Sequence, residues 1–294
     1  MQMKKPEFDA LLSRMSGEVN CALDKLFSEK CDTDLFESMR YSLAAGGKRI
    51  RPVLLLAFAE RAGLSREKAM EFACGLELIH TYSLIHDDLP CMDDDDLRRG
   101  RPSNHMVFGY AGALLAGDAL LNGAFELMLS CRSVPAENVL AAAGYIANSS
   151  GRWGMILGQS LDLGDFARDV DDRIRLSVLK TGAIIRGACV GGLLLAGVND
   201  EKLLTAAEEY ATALGLAFQM RDDVLDVTST EEELGKPIGS DSKEDKTTFV
   251  SLLGIDETEK QIEILTDRAV SAVSVIDSDG FLSALVCALA GRKN

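Results

Sequence analysis

The sequence predicts an all-α protein that forms one domain over residues 1–294. Apolar residues recur at helical spacing along nearly the whole chain, and no segment carries a convincing hairpin signal. Hydrophobic residues make up 47% of the chain and only six residues are proline, a composition that supplies a sizeable core and favours helix. No low-complexity linker or shift in composition divides the chain, so we expect the amphipathic helices to pack as a single unit.

Apolar periodicity and helix-breaking residues together predict thirteen helices. Glycine or proline interrupts the pattern between them. The predicted helices span residues 7–28, 33–44, 50–61, 66–88, 109–129, 135–149, 153–160, 170–179, 182–196, 200–227, 247–254, 256–276 and 280–290. Residues 229–246 form the longest stretch with turn-forming chemistry, and we expect a loop there that serves as a mobile lid.

Charge and cysteine content argue against several classes of function. The formal net charge of −15 disfavours nucleic acid as a partner and disfavours attraction to an anionic membrane. The most apolar window, 184–198, contains Arg186 and is too short for a bilayer, so it predicts a buried helix and no stable membrane insertion. Seven cysteines lie scattered without a Cys-x-x-Cys pair, and no signal-peptide segment precedes Asp9. A cytoplasmic protein with reduced thiols is therefore expected.

Two aspartate clusters, about 130 residues apart, are the main candidates for a functional site. Residues 86–100 read HDDLPCMDDDDLRRG, and residues 218–226 read FQMRDDVLD. Each cluster lies near the C-terminal end of a predicted apolar helix, where both desolvation and the helix dipole disfavour a carboxylate. A bound cation offsets both effects, and carboxylates with few histidines favour hard cations that bridge to phosphate oxygens.

The spacing within the second cluster favours a divalent cation. Asp222 and Asp226 are four residues apart on a predicted helix and therefore share a face, with Asp223 adjacent to them. Like charges at this spacing repel unless a cation lies between them. Taken alone, such a pattern is equally compatible with a solvated helix face.

The first cluster predicts an irregular helix end. Pro90 disfavours a regular helix, and six residues of ideal helix advance by about 600°, which would not place Asp93 above Asp87. We therefore expect a local bulge that folds Asp93 back toward Asp87 and Asp88.

Basic residues from distant parts of the chain complement the two clusters. Residues 46–52, GGKRIRP, join a glycine turn to the start of a predicted helix, which is a favourable place for an anion. Further basic residues follow the first cluster, precede the helix at 182, or lie after the second cluster: Arg98, Arg99, Lys180, Lys236 and Lys246. Arginine binds phosphate as a bidentate fork and lysine as a point charge. Together with two metal clusters, these residues indicate two diphosphates in one cavity.

Five motifs in order give the chain a specific resemblance. GGKRIRP, HDDLPCMDDDDLRRG, GQSLDL at 158–163, KTG at 180–182 and FQMRDDVLD resemble the motifs of the trans-polyprenyl diphosphate synthases. The resemblance is strong from about residue 40 to residue 254. It is nearest to the bacterial farnesyl diphosphate synthases, whose first aspartate motif carries the same two-residue insertion. No motif departs from the pattern of an active enzyme.

The resemblance implies an isoprenoid synthase fold, with helices around a central active-site cavity, and a homodimer. It implies about three Mg²⁺ ions per active site once substrates are bound, held by Asp87, Asp88, Asp93, Asp222, Asp223 and Asp226. The residues implied to bind isopentenyl diphosphate are Lys48, Arg51, His80 and Arg99. Those implied to bind the allylic diphosphate are Arg98, Lys180, Thr181, Gln219, Lys236 and Lys246. Catalysis is implied to depend chiefly on Lys180, Asp87 and Asp222.

The implied reaction joins isopentenyl diphosphate to dimethylallyl or geranyl diphosphate and gives farnesyl diphosphate. Metal ions and Lys180 would neutralise the leaving diphosphate while a dry pocket shields the carbocation. In this family, large side chains four and five residues before the first aspartate set the floor of the product pocket. Tyr82 and the small Ser83 occupy these positions, the pattern of the fifteen-carbon synthases.

Other interpretations remain open at this point. A geranylgeranyl diphosphate synthase would share the inserted motif and differ near the pocket floor. A non-catalytic regulatory subunit that binds diphosphate should have lost one aspartate cluster, and a terpene cyclase should lack GGKRIRP. An acidic helical scaffold would tolerate loss of the aspartates. His86 and His105 receive no role, and Trp153 is expected in the core.

Overall fold

Helices account for nearly all regular structure in the computed structural model, which describes residues 3–27, 33–164, 166–228 and 247–292. The first helices are α1 (Lys5–Leu26), α2 (Asp34–Leu43), α3 (Ile50–Arg61), α4 (Arg66–Asp87), α5 (Asn104–Ser130), α6 (Ala136–Ser150) and α7 (Met155–Leu163). They are followed by α8 (Val170–Ser177), α9 (Ala183–Leu195), α10 (Glu201–Thr228), α11 (Phe249–Leu253), α12 (Ile255–Val273) and α13 (Phe281–Ala290). The predicted all-α fold is confirmed.

The core lies where α3, α4, α9 and α10 pack together. Residues 53–59 of α3 are buried on every side, since α1, α4 and α9 surround that helix. The apolar window at 184–198 forms the buried helix α9, as predicted. Gly192 permits its contact with α3, because a Cβ atom there would lie 2.5 Å from the carbonyl oxygen of Leu55.

Three helices place the candidate site. The long helices α4 and α10 each end beside an aspartate cluster. Helix α8 continues into α9 through a π-helical turn, Val178–Gly182, where the sequence predicted a break between two helices. Turns of this kind occur frequently at functional sites. This combined helix runs antiparallel to α10, because Thr181 contacts Gln219 while the earlier Arg173 contacts the later Asp223.

Some local features differ from the prediction. Two short strands, β1 (Leu97–Arg98) and β2 (Arg101–Pro102), pair as an antiparallel hairpin that the sequence did not predict. Arg99 and Gly100 form its turn with positive φ angles of 55° and 72°, the backbone that the tightest hairpins require. Helix α5 begins at Asn104 rather than at residue 109, because it continues across a kink at Gly109.

The expectation that Trp153 lies in the core is wrong. Its side chain is 60% exposed in the turn between α6 and α7, and the guanidinium of Arg152 lies 5.3 Å from the ring centre. Large aromatic residues are usually buried, so the exposed ring adds to the apolar surface of this side of the molecule.

Within the described parts of the chain, two helical stretches are long and apolar enough to cross a membrane by length and composition alone. Val170–Leu195 is longer than the apolar window at 184–198, because α8 and α9 form one continuous helix. Within its most apolar segment, 67% of the residues are buried inside the protein. Asn104–Ser130 is only 33% buried in the corresponding segment. The burial of Val170–Leu195 is that of a core helix, and Asn104–Ser130 leaves an apolar face uncovered.

Candidate active site

A cavity of about 1490 Å³ opens between the ends of α4 and α10 and the combined helix α8–α9. It brings together most of the residues that the sequence predicted for one site. Those in its wall are Arg51, His80, Tyr82, Ser83, Asp87, Asp93, Arg98, Arg99, Lys180, Thr181, Gln219, Asp222 and Asp226. Lys48, Asp88 and Asp223 do not line it, and Lys236 and Lys246 fall outside the described residues.

The first aspartate cluster contains the predicted bulge. The backbone N–H of Asp93 donates a 2.9 Å hydrogen bond to the carbonyl oxygen of Asp87, which folds the chain back over the end of α4. Asp94 holds a φ of 53° in the same bulge. The side chains of Asp87 and Asp93 therefore meet in the cavity wall.

Burial makes the carboxylate of Asp87 costly to ionise. The pKa of Asp87 is raised to about 6, chiefly by desolvation and also by the nearby negative charges of Asp93 and Asp88. The positive charges of Lys180 and Arg98 act in the opposite direction. A carboxylate in this environment gains most from an additional cation.

Asp88 has a different environment from Asp87. It is almost fully buried, and it accepts a 2.8 Å hydrogen bond from Nε of Arg98. Arg98 also donates to Asp95 at 2.9 Å. In this state the guanidinium predicted to bind allylic diphosphate is therefore engaged by two carboxylates of its own motif.

Lys180 lies in the π-helical turn, close to α7. Its ammonium pairs with Asp162, the aspartate of GQSLDL. Gly158 makes this approach possible, because a Cβ atom there would lie 2.3 Å from the backbone nitrogen of Lys180. The hydroxyl of the next residue, Thr181, donates to Oε1 of Gln219 at 3.3 Å and links the turn to α10.

The members of the second aspartate cluster divide between two environments. Asp222 and Asp226 line the cavity, as expected for residues four apart on α10. Asp223 is only 1% exposed, and both of its oxygens accept hydrogen bonds within the protein. Its donors are Gln219 Nε2 at 3.0 Å, the backbone N–H of Phe249 at 2.7 Å and Arg173 at 3.4 Å. This arrangement does not support the predicted metal-binding role of Asp223.

The segment GGKRIRP places its three basic residues in three different surroundings. Arg49 is buried and anchors the turn through Glu77 and a 2.8 Å hydrogen bond to the carbonyl oxygen of Leu43. Arg51 faces the cavity, with its guanidinium 3.3 Å from Nε2 of His80. Lys48 is exposed and lies outside the cavity wall, so the structure does not bring it together with Arg51.

Arg99 and a neutral His80 complete the side of the cavity that Arg51 faces. Burial, together with the charges of Arg51 and Arg99, lowers the pKa of His80 well below its usual value. The imidazole is therefore neutral near pH 7. The guanidinium of Arg99 packs against Gly47, where a Cβ atom would lie 2.7 Å from it.

Tyr82 and its neighbours form the apolar part of the cavity. The ring of Tyr82 is 4% exposed and meets His86 edge-on, with ring centres 5.6 Å apart. Its hydroxyl is buried and has no hydrogen-bond partner among the described residues. Leu84, Leu121, Met155 and Ile156 also line the cavity.

The donor set fits magnesium. Among the described residues, no three histidine, cysteine, aspartate or glutamate side chains converge to form a metal cage by themselves. Mg²⁺ in proteins is typically held by one or two carboxylates together with substrate phosphates. Asp87 and Asp93 at the end of α4, and Asp222 and Asp226 on α10, offer such carboxylates within one cavity.

Sequence reasoning missed several polar residues of the cavity wall. Asp162 and Gln159 belong to the quoted motif GQSLDL, so their position in the motif was a usable signal. Gln159 has both polar atoms of its amide buried without a partner among the described residues. Arg173 lies outside every quoted motif, and only the structure reveals its place in the cavity wall and its contact with Asp223. Arg292 does not line the cavity but pairs with Asp222, and it likewise had no local signal.

Comparison with known proteins identifies the family. Residues 32–277 match the family described as polyprenyl synthetase. The chain is 43% identical over 281 residues to a geranylgeranyl diphosphate synthase from Cyanophora paradoxa, which covers 94% of this chain and 93% of the relative. It is 40% identical over 302 residues to a farnesyl diphosphate synthase from Geobacillus stearothermophilus, which covers 99% of this chain and the whole relative.

A solved structure also shares the fold over nearly the full length. The crystal structure of a geranyltransferase from Legionella pneumophila superposes with a TM-score of 0.86 and 32% identity, covering 98% of this chain and 97% of that one. The described helices are therefore arranged as in that solved structure.

Proposed function

Because this chain belongs to the polyprenyl synthetase family, we propose that it condenses isopentenyl diphosphate with dimethylallyl or geranyl diphosphate to give (2E,6E)-farnesyl diphosphate. One observation carries the proposal: two aspartate pairs, two groups of cationic residues and an apolar floor line the same cavity. The cations and carboxylates suit two diphosphates, and the apolar part suits a hydrocarbon chain.

The two cationic groups would bind different substrates. Arg51, His80 and Arg99 lie on the side formed by α3, α4 and the β1–β2 turn, where they would hold the diphosphate of the isopentenyl substrate. A neutral His80 serves as a hydrogen-bond partner there without adding charge. Lys180 and Thr181, on the opposite helix, would hold the allylic diphosphate.

Magnesium would supply the charge neutralisation that lets the allylic diphosphate depart, held by Asp87, Asp93, Asp222 and Asp226. Lys180 would add its positive charge to the same leaving group. As the allylic C–O bond breaks, its electron pair leaves with the diphosphate, and the isopentenyl double bond then forms the new C–C bond. The proton lost from the adduct would pass to the released diphosphate. The apolar side chains near Tyr82 would exclude water from the cation.

The position of Tyr82 favours farnesyl as the product. Its buried ring lies in the cavity wall, five residues before Asp87 on α4. At this position the ring would stop the growth of the product chain. A geranylgeranyl diphosphate synthase is the second candidate, supported by the 43% identity to the Cyanophora paradoxa enzyme. Relatives with geranylgeranyl names are also the more numerous.

Product analysis distinguishes the candidates. The purified protein would be incubated with Mg²⁺, isopentenyl diphosphate and each allylic starter, and the dephosphorylated products would be sized by chromatography. A fifteen-carbon alcohol as the end product supports the proposal, and a twenty-carbon alcohol supports the second candidate. Binding of diphosphates without any turnover would instead indicate a regulatory subunit.

The uncovered face of α5 supports a homodimer. Exposed apolar side chains follow one another along the first half of this helix: Met106, Val107, Tyr110, Leu114 and Leu115. A monomeric soluble protein rarely exposes a large contiguous apolar patch. A second copy of the same chain, which presents the same face, would cover it with twofold symmetry.

A further inference from the structure

Arg173 on α8 is a buried cation in the wall of the cavity that the reaction proposed above does not use. Its side chain is only 9% exposed, and its guanidinium lies 5.5 Å from the centre of the Phe249 ring. One terminal nitrogen donates to Asp223 at 3.4 Å. Its Nε atom is buried and has no hydrogen-bond partner among the described residues. A buried guanidinium with an unused donor is costly, which calls for an explanation.

The contact with Asp223 places Arg173 at the diphosphate end of the cavity. Asp223 lies between Asp222 and Asp226 on α10. Asp222 and Asp226 line the cavity and are the carboxylates that would hold magnesium. Gln219, one turn earlier on α10, links Asp223 to Thr181. Arg173 is therefore connected to the residues that would bind the allylic diphosphate, and the residues that would bind isopentenyl diphosphate lie on other helices.

Ser177 extends the same polar surface. It lies four residues after Arg173 and so shares a face of α8, and it also lines the cavity. Its hydroxyl is buried without a partner among the described residues. Lys180 and Thr181 follow along the same helix. The hydrogen-bond donors of this polar surface follow one another along the helix: Arg173, Ser177, Lys180 and Thr181. Arg173 and Ser177 each have a buried polar atom without a partner among the described residues.

We propose that Arg173 and Ser177 are additional binding residues for the allylic diphosphate, with Arg173 Nε–H and the Ser177 hydroxyl as donors to its oxygen atoms. Arg173 has a second effect, because its charge and hydrogen bond hold Asp223 in the internal network and away from the metal. The inference rests on the proposed function and adds to it two residues outside the quoted motifs.

The test is direct binding of a thiolo analogue of geranyl diphosphate, whose C–S bond resists ionisation. Arg173→Leu would remove the cation that pairs with the buried Asp223, and the loss of such a partner alone can unfold a protein. The informative variant is therefore Arg173→Leu combined with Asp223→Asn, compared with Asp223→Asn alone. With Mg²⁺ present, calorimetric titration should show at least tenfold weaker binding for the double variant than for Asp223→Asn. In turnover assays the KM for isopentenyl diphosphate should change less than twofold.

Further variants separate binding from folding. Arg173→Lys keeps the charge and loses Nε–H, so it should bind the analogue with intermediate affinity, and Ser177→Ala should lose several-fold. Arg175→Leu removes an exposed arginine of the same helix and should bind like the wild type. The inference is overturned if the folded double variant binds the analogue like Asp223→Asn, or if affinity for both substrates falls equally. A wild-type protein that binds no allylic analogue would overturn the proposed function itself.

Discussion

Arg292, the last residue that the structure describes, forms an ion pair with Asp222, in which its guanidinium donates a hydrogen bond to the carboxylate. Asp222 is one of the residues expected to bind magnesium. The same guanidinium lies 4.0 Å from the ring centre of Phe218, one turn earlier on α10. The C-terminal end of the chain thus supplies a cation to a carboxylate that a metal ion would also need. In the proposed enzyme, metal binding at Asp222 would therefore compete with this ion pair.

Replacing Arg292 with alanine should lower the Mg²⁺ concentration that gives half-maximal activity by several-fold, because Asp222 no longer has to exchange a guanidinium for the ion. Mg²⁺ titrations of the initial rate would measure this. Arg268→Ala, which removes an exposed arginine of α12, is the matched control for net charge. A higher Mg²⁺ requirement in Arg292→Ala would contradict the competition and show that the pair assists metal binding.

Replacing Tyr82 with alanine should lengthen the product to twenty carbons or more, because the ring that closes the apolar part of the cavity is removed. Tyr82→Phe is the matched control, since it keeps the ring and removes only a hydroxyl that is buried without a partner among the described residues. We expect that variant to keep the product length and to be more stable by about 1 kcal/mol. An unchanged product profile in Tyr82→Ala would rule out Tyr82 as the determinant of chain length.

Asp87→Ala and Asp222→Ala should each reduce turnover by orders of magnitude, since each removes a carboxylate that would hold magnesium. Both variants should still fold, because both carboxylates face the cavity rather than the core. Rate measurements with saturating substrates, together with circular dichroism, would check both expectations. Full activity in either variant would refute the assignment of that aspartate as a magnesium ligand.

Asp87→Asn should stabilise the metal-free protein, and the gain should depend on pH. Burial raises the pKa of Asp87 from 3.8 to about 6, so the wild type loses stability as the pH rises from about 4 through 6. A shift of about two units corresponds to a gain of up to about 3 kcal/mol for the asparagine variant at pH 8. Below pH 4 the gain should vanish.

Thermal unfolding in the presence of a metal chelator at pH 5 and at pH 8 would measure this difference. Asp171→Asn, which alters an exposed aspartate of α8, should show no comparable dependence. An equal gain for Asp87→Asn at the two pH values would exclude ionisation of Asp87 as its cause.

Leu115→Glu should dissociate the proposed homodimer, because it places a charge in the exposed apolar face of α5. Light scattering coupled to size-exclusion chromatography would give the mass of the variant and of the wild type. Ile264→Glu introduces the same charge at an exposed apolar position on α12 and should leave the mass unchanged. A monomeric wild type would refute the homodimer outright.

Local patterns predicted the helices and the aspartate bulge well. The bulge followed from Pro90 and from the angular spacing of Asp87 and Asp93, both of which are properties of a short segment. The kink at Gly109 also has a local cause, a positive φ that glycine adopts readily, and the helix resumes on its other side. Where residues adjacent in the sequence determine the local structure, the sequence was sufficient to predict it.

Contacts between distant segments were not predictable in the same way. Arg173 meets Asp223 across 50 residues, and Arg292 meets Asp222 across 70. No periodicity or motif encodes such pairings, which depend on how α8 and the C-terminal helix pack against α10. The exposure of Trp153 has the same origin, because a single aromatic residue gives no information about which face of the fold it will occupy.

The hydrogen bond from the N–H of Asp93 to the carbonyl oxygen of Asp87 has a consequence for the order of events in metal binding. Because this bond joins the backbones of two carboxylate-bearing residues, the repulsion between their side chains arises when the protein folds, before any ion is present. The proposed metal site would therefore be preorganised, and the folded state would hold electrostatic energy that an arriving cation releases. Tighter metal binding and lower stability of the metal-free protein would then both result from this one backbone hydrogen bond.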